Sequence, residues 1–140
     1  MAKPTYRDAT LMLQLAQWQA TLNLEEALNW MWSDQFVADF EEFVKKYPWG
    51  SEESGRVRKI CGVFEMLGTL HKHGLLSEDL LFDWLAVSAI WERIKGYALG
   101  VRQLAGNPQL YENFEALAAA DVAYFARLAK RSSATKRAKK

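Results

Sequence analysis

Apolar positions recur along this chain every three or four residues, a spacing that predicts helices almost from end to end. Leu11, Leu15, Trp18 and Leu22 form one such stripe and place a first helix over about Thr5 to Leu22. Asn23, with Glu26 three residues on, reads as a capping-box variant that opens a short helix through Leu28 and Met31. Ser33 reads as the cap of a third helix carrying Phe36, Phe40, Phe43 and Tyr47, which Pro48-Trp49-Gly50 ends. After a loop over Gly50 to Ser54, Val57, Ile60, Phe64, Leu67 and Leu70 predict a long helix from about Glu53 to His73. Gly74 is placed to close it in the left-handed conformation.

Ser77 then reads as an N-cap, with Glu78 and Asp79 where the helix dipole favours acids, and one helix is expected from there to about Ala105. Its stripe is Leu81, Trp84, Leu85, Ser88, Trp91, Ala98 and Val101. Asn107-Pro108 predicts the start of a last long helix through Leu110, Phe114, Leu117, Val122 and Phe125 to about Lys130. No sustained alternating, β-branched run calls for a strand. The expected fold is therefore all-α, an antiparallel helical bundle of three long helices plus two or three shorter N-terminal ones. Residues 1–131 are expected to form a single domain, and residues 132–140 a disordered basic tail.

Composition changes this picture little. Half of the 140 residues are hydrophobic and a quarter are charged, which is ordinary for a folded domain. The richest apolar run, Leu80 to Trp91, is broken by Asp83 and falls short of the ~18 residues a membrane span needs. No apolar stretch follows Met1-Ala2-Lys3-Pro4 to serve as a signal peptide. The single cysteine, Cys61, permits no internal disulfide and suits a reducing compartment, so the cytoplasm is the expected location.

Charge changes it more. From Arg127 to Lys140 there are seven Lys or Arg and no acid, leaving 11 basic and 17 acidic residues in the first 126, a net charge of −6. Lys130, Arg131, Lys136, Arg137, Lys139 and Lys140 make a basic tail on an acidic body. Such a tail can touch nucleic acid or an anionic membrane surface by charge neutralisation. Without an aromatic or helical reading element, the binding would be weak and unspecific. The plainer reading is a solubilising tail, or one that folds back on its own acidic body.

Candidate chemistry is sparse. His71 and His73 are two residues apart on a helix and cannot point at one metal, so no metal site and no cofactor are expected. Cys61 has Arg58 and Lys59 nearby, but it borders the apolar stripe, which favours a core thiol over a nucleophile. Gly96-Tyr97-Ala98-Leu99-Gly100 lies inside a predicted helix, where it reads either as a groove for a closely packed neighbour or as simply tolerated glycines, and not as a phosphate loop. Six tryptophans are more than packing demands, and Trp30 and Trp32 cannot both face one way, so at least one approaches the surface.

Some charged residues fall in apolar surroundings. Arg102 lies eleven residues from Trp91, about three helical turns, on the same face. Glu65 sits between Phe64 and Met66. Arg102 is expected to pair with Glu65 or Glu115 across the bundle and fix its register. The alternative is that these charges line a pocket near Trp84 and Trp91.

From Val57 to Leu117 the sequence resembles a bacterial family of small helical proteins catalogued as a domain of unknown function, numbered four-seven-six-zero. The likeness is carried by Val63-Phe64-Glu65-Met66-Leu67-Gly68 and His73-Gly74-Leu75-Leu76-Ser77-Glu78-Asp79-Leu80. It continues through Trp91-Glu92-Arg93-Ile94-Lys95, Arg102 and Tyr111-Glu112-Asn113-Phe114-Glu115-Ala116-Leu117. The resemblance implies a helical fold and carries no activity, cofactor or catalytic residue. Many relatives begin with a membrane segment, of which this sequence shows no apolar run. The function expected is a non-enzymatic helical module for protein–protein interaction or self-association. A small-molecule-binding bundle and a weak nucleic-acid or membrane-surface binder are the alternatives.

Overall fold

Thr5 accepts a hydrogen bond from the Asp8 amide (3.2 Å), and Asp8 accepts one from the Thr5 amide (2.8 Å), so a reciprocal capping box starts the first helix. The computed structural model describes residues 2–139. Its helices are α1 (Tyr6–Thr21), α2 (Leu24–Met31), α3 (Phe40–Lys46), α4 (Glu52–Lys72), α5 (Glu78–Trp84), α6 (Val87–Ala105) and α7 (Glu112–Ala138). Among the described residues there is no strand, and no helix is long and apolar enough to cross a membrane. The chain is all-α, as its periodicity predicts. The long helices α4, α6 and α7 alternate in direction. Ser88–Asp121 and Arg102–Glu115 contacts run in opposite senses along α6 and α7, while Glu65–Phe114 and the Glu78-bridged His71–Arg127 contacts run in the same sense along α4 and α7.

Several expected caps form. Ser77 accepts from the Leu80 amide, and Gly74, at φ +71°, ends α4 with Leu75 donating to the Leu70 carbonyl and Gly74 to that of His71. Other boundaries differ from expectation. Asn23 is left-handed (φ 55°) and makes no side-chain cap bond, so the capping-box variant is not formed. Ser33 starts no helix: its hydroxyl donates to the Trp30 carbonyl (2.6 Å) and accepts from the Gln35 amide, which ends α2 instead. Asp39 caps α3, accepting from the Glu42 amide at 2.9 Å.

The helix expected from Ser77 to Ala105 is two helices, broken at Leu85 and Ala86, where the Val87 amide turns back to the Leu85 carbonyl. The reason is geometric. At about 100° per residue, Leu81 and Phe82 lie roughly 170° around a straight helix from the face of Val87, Ile90, Trp91 and Ile94. All six are buried. One straight helix cannot bury both sets, and the extended link turns them onto a common core.

The last helix starts later and ends later than expected. Asn107 Oδ1 accepts from the Gln109 amide and Tyr111 is left-handed (φ 60°), so residues 107–111 turn before the helix begins at Glu112. At the other end, the segment expected to be a disordered tail continues α7 to Ala138, and Lys140 lies outside the described residues. No proline or glycine interrupts the chain after Pro108, and alanine, lysine and arginine are good helix formers.

Phe114 is the centre of the core. Phe64 stacks on it at 5.1 Å and Trp91 meets it edge-on at 4.9 Å. Two close approaches depend on missing side chains. Gly96 and Gly100 receive Ala38 and Phe40, which is the groove reading of their spacing and not that of merely tolerated glycines, and Gly68 lies against the Asn113 backbone. A Cβ at Gly68 would overlap the Asn113 carbonyl, which belongs to the first turn of α7 and cannot swing aside. Gly68→Ala is expected to destabilise the fold by about 1–3 kcal/mol, read as a lower urea midpoint at unchanged slope.

Candidate functional site

Helices α6 and α7 begin on residues that give them no side-chain cap, Ala86 and Tyr111. Unpaired amides at a helix start require acceptors when they are covered by protein. For α7 the acceptor is Glu65, from the middle of α4. Its carboxyl oxygens accept from the Phe114 amide at 2.8 Å, the Asn113 amide at 3.4 Å and the Asn113 side chain at 3.0 Å. For α6 the acceptor is Asp121, from the middle of α7, which takes the Ser88 amide at 2.7 Å and is only 2 % exposed.

Arginines serve the carbonyl ends. Arg93 of α6 donates to the carbonyls of Met31 (3.0 Å) and Ser33 (2.9 Å), closing the C-terminus of α2, and its guanidinium lies over the Phe36 ring at 5.0 Å. Arg102 donates to the Leu110 carbonyl at 2.8 Å and to Glu115 at 3.1 Å. Of the two partners expected for Arg102, Glu115 is therefore the one it meets, and Glu65 is committed to α7. The Arg102–Glu115 contact is local to the α6–α7 corner, and Glu115 is nearly half exposed, so its ionic part contributes little.

The expected aromatic pocket is divided by the packing. Trp91 is in the core against Phe114, whereas Trp84 is half-buried and faces grooves beside α1. Trp30 is packed among Phe36, Phe43 and Tyr47, and Trp32 is 50 % exposed, so this pair divides between interior and surface. Cys61 is fully buried, and burial first, then the Glu65 carboxyl, pushes its thiol pKa far up, opposite to what a nucleophile needs. His71 Nε2 meets Glu78 at 2.9 Å and so joins the end of α4 to α5. No group of three His, Cys, Asp or Glu residues suited to a metal gathers among the described residues.

The basic segment differs from the other candidates. Lys130, Arg131, Lys136, Arg137 and Lys139 lie on the helical continuation of α7, and every described residue from Phe125 onward is exposed. Among the described residues of this segment, Arg127 alone makes a side-chain hydrogen bond back to the body, to Glu78 at 2.9 Å. Val122 and Phe125, expected on the core stripe, are 61 % and 49 % exposed, and Leu128 is 38 % exposed. The buried face instead runs Phe114, Leu117, Ala118, Asp121 and Tyr124, with the Tyr124 hydroxyl donating to Asp79 at 2.7 Å. Sequence reading passed over Asp121 and Arg93, although Asp121 lies seven residues after Phe114 and four after Leu117, squarely on the helical core period.

A family model described as Domain of unknown function (DUF4760) matches residues 4–120. No curated protein and no solved structure matches the chain. The match ends within the buried stretch of α7, just before Asp121 and Tyr124, and the exposed basic part of that helix lies beyond it.

Removing the Glu65 carboxyl leaves the first turn of α7 covered and without its acceptor. Glu65→Ala is expected to cost about 1–3 kcal/mol, with faster amide exchange at Asn113 and Phe114, and Glu65→Gln, which keeps one acceptor, to cost less. Cys61 is expected to react with an aromatic disulfide reagent no faster than the chain opens, so its rate should rise in step with added urea.

Proposed function

The chain belongs to the family described as a domain of unknown function (DUF4760), and we propose that it is a non-enzymatic helical module that binds a second copy of itself through the exposed half of α7. The observation that carries this reading is the stripe of Val122, Phe125 and Leu128, three residues apart, on a helix that runs on past its own body. A helix of this length gains most of its stability from packing an apolar face, and the described residues of α7 beyond Tyr124 are exposed throughout, with Arg127 reaching the body at Glu78. Large apolar side chains grouped on one surface favour an interface.

Charge favours a second copy as the occupant. The segment from Arg127 onward carries seven basic residues and no acid, and the rest of the chain carries a net −6. Two projecting helices paired side by side would repel, whereas a basic helix laid on the acidic body of the other copy is attracted to it. If each copy offers its α7 to the other, the exchange closes as a two-fold dimer and leaves no open end. The inward polar side chains support a binding role over a chemical one: Glu65, Asp121, Arg93 and Arg102 are each engaged by backbone groups.

Sedimentation equilibrium tests the proposal. A dimer is expected at low salt, weakened by raising salt from about 0.05 to about 0.5 M and by truncation after Arg131. Phe125→Ser with Leu128→Ser should raise its dissociation constant by about tenfold or more. A chain that stays monomeric at every concentration and salt overturns the reading. So does a dimer indifferent to both the serine pair and the truncation.

A further inference from the structure

Asp8, Met12, Ala16 and Ala20 follow one another at intervals of four along α1, so they form a single row on its surface. This row borders a furrow whose other wall is Leu80 and Trp84 of α5 and Leu28 of α2. The part beside α5 is a shallow seam of ≈ 10 Å³. Beyond Trp84 the furrow opens to ≈ 280 Å³ between α1 and α2. Its walls are mostly apolar, and the small side chains of Ala16 and Ala20 let another helix approach closely. Asp8 stands at one end and Glu25 at the other, and Asp83 is exposed beside Trp84. Among the described residues, no lysine or arginine lines it.

The exposed part of α7 complements this surface. It carries seven Lys or Arg and no acid from Arg127 onward, where the charged groups of the furrow are all acids. Phe125 and Leu128 give it an apolar side for the apolar walls. At about 1.5 Å per residue it runs about 20 Å from Phe125 to Ala138, and the α1 row about 18 Å from Asp8 to Ala20. Helix α7 is unbroken to Ala138, so it does not turn back onto the furrow of its own copy. Position keeps an exchange short. Ser77, at the α5 end of the furrow, adjoins Glu78 and Asp79, which hold Arg127 and Tyr124 where α7 leaves the body. Donor and acceptor surfaces are thus neighbours on each copy, which suits a closed two-fold exchange. We propose that this furrow seats the part of a second copy's α7 beyond Tyr124. This rests on the self-association reading and assigns the surface that the incoming helix covers.

Paramagnetic broadening between copies tests the assignment. Chain without ¹⁵N, carrying Ser133→Cys with a nitroxide, is mixed at low salt with ¹⁵N-labelled unaltered chain. Ser133 lies to one side of the Phe125 and Leu128 stripe, and the buried Cys61 takes no label. Broadening is expected at the amides of Met12, Ala16 and Ala20 and at the Trp84 indole N–H. Broadening confined to another surface overturns the furrow and leaves self-association standing, whereas none at any site overturns both. Broadening at the furrow only when nitroxide and ¹⁵N share one chain means that α7 covers its own body, and also overturns it. Ala20→Arg, a change at an exposed position, puts bulk and positive charge in the furrow. It should raise the dimer dissociation constant by about tenfold or more. Gln14→Arg adds the same charge about 120° around α1 from Ala20 and should change it by no more than about twofold. Equal effects of the two substitutions overturn the proposal, because the charge would then act without regard to the furrow.

Discussion

The carboxyl of Glu65 against the first turn of α7 is the contact from which the rest of the arrangement follows. Helix α7 starts at a left-handed tyrosine that caps nothing, so its leading amides need acceptors from elsewhere. Glu65 takes them from the centre of α4, where a charged group is costly unless it is well bonded. The positive end of the α7 dipole and the carboxyl satisfy each other. That placement lays Phe114 on Phe64 and brings Asn113 against the bare backbone of Gly68. A larger residue at position 68 or a shorter acid at position 65 would move the start of α7, and Phe114 with it.

The same device then repeats from helix to helix. With α7 in place, Asp121 reaches the uncapped start of α6. With α6 in place, Arg93 reaches the carbonyl end of α2, and Arg102 the turn that leads back to α7. The starts of α6 and α7 and the end of α2 are each capped from the middle of another helix, so none of these three helices is completed by local sequence alone. Local caps are worth about 1 kcal/mol and can form in an isolated segment. Caps supplied across the fold require both partners to be placed first. They therefore couple helix formation to tertiary packing, and should make unfolding of α4, α6 and α7 one event rather than three. Geometry adds selectivity: a carboxyl in the wrong register would be buried without donors, which disfavours shifted packings of the same helices.

This explains which parts of the fold were legible in the sequence. Where a helix carries its own stop and start, the reading was close: Gly74, Ser77 and the stripe of α4 behave as their local chemistry dictates. Where the signal is shared between distant segments, it was missed. Asn107-Pro108 resembles a helix start, yet the helix waits for Glu112, where Glu65 can reach it. Asp121 was passed over because an acid on a core stripe reads as an interruption, and Val122 and Phe125 were placed in the core instead. The division of α5 from α6 could have been found by following the angle of the apolar face, which jumps to the opposite side at Leu85. At the candidate site, Arg102 meets Glu115, one of the two partners expected for it, but at the α6–α7 corner and not across the bundle. Trp84 and Trp91, expected beside one pocket, lie apart, because the break between them turns one toward α1 and the other toward Phe114.

The inward charges of this fold hold helix ends, although one oxygen of Asp121 and one nitrogen of Arg102 are buried without a partner among the described residues. In a chain whose local and tertiary preferences agree, departures from agreement tend to coincide with function. The part of α7 beyond Tyr124 is one such departure: it carries an exposed apolar stripe and dense positive charge, meets its own body through Arg127, and lies beyond the residues the family model matches. On the proposed reading, a second copy covers those helical turns and offsets their charge, which nothing in the interior is free to do because Glu65, Asp121, Arg93 and Arg102 already hold the ends of helices.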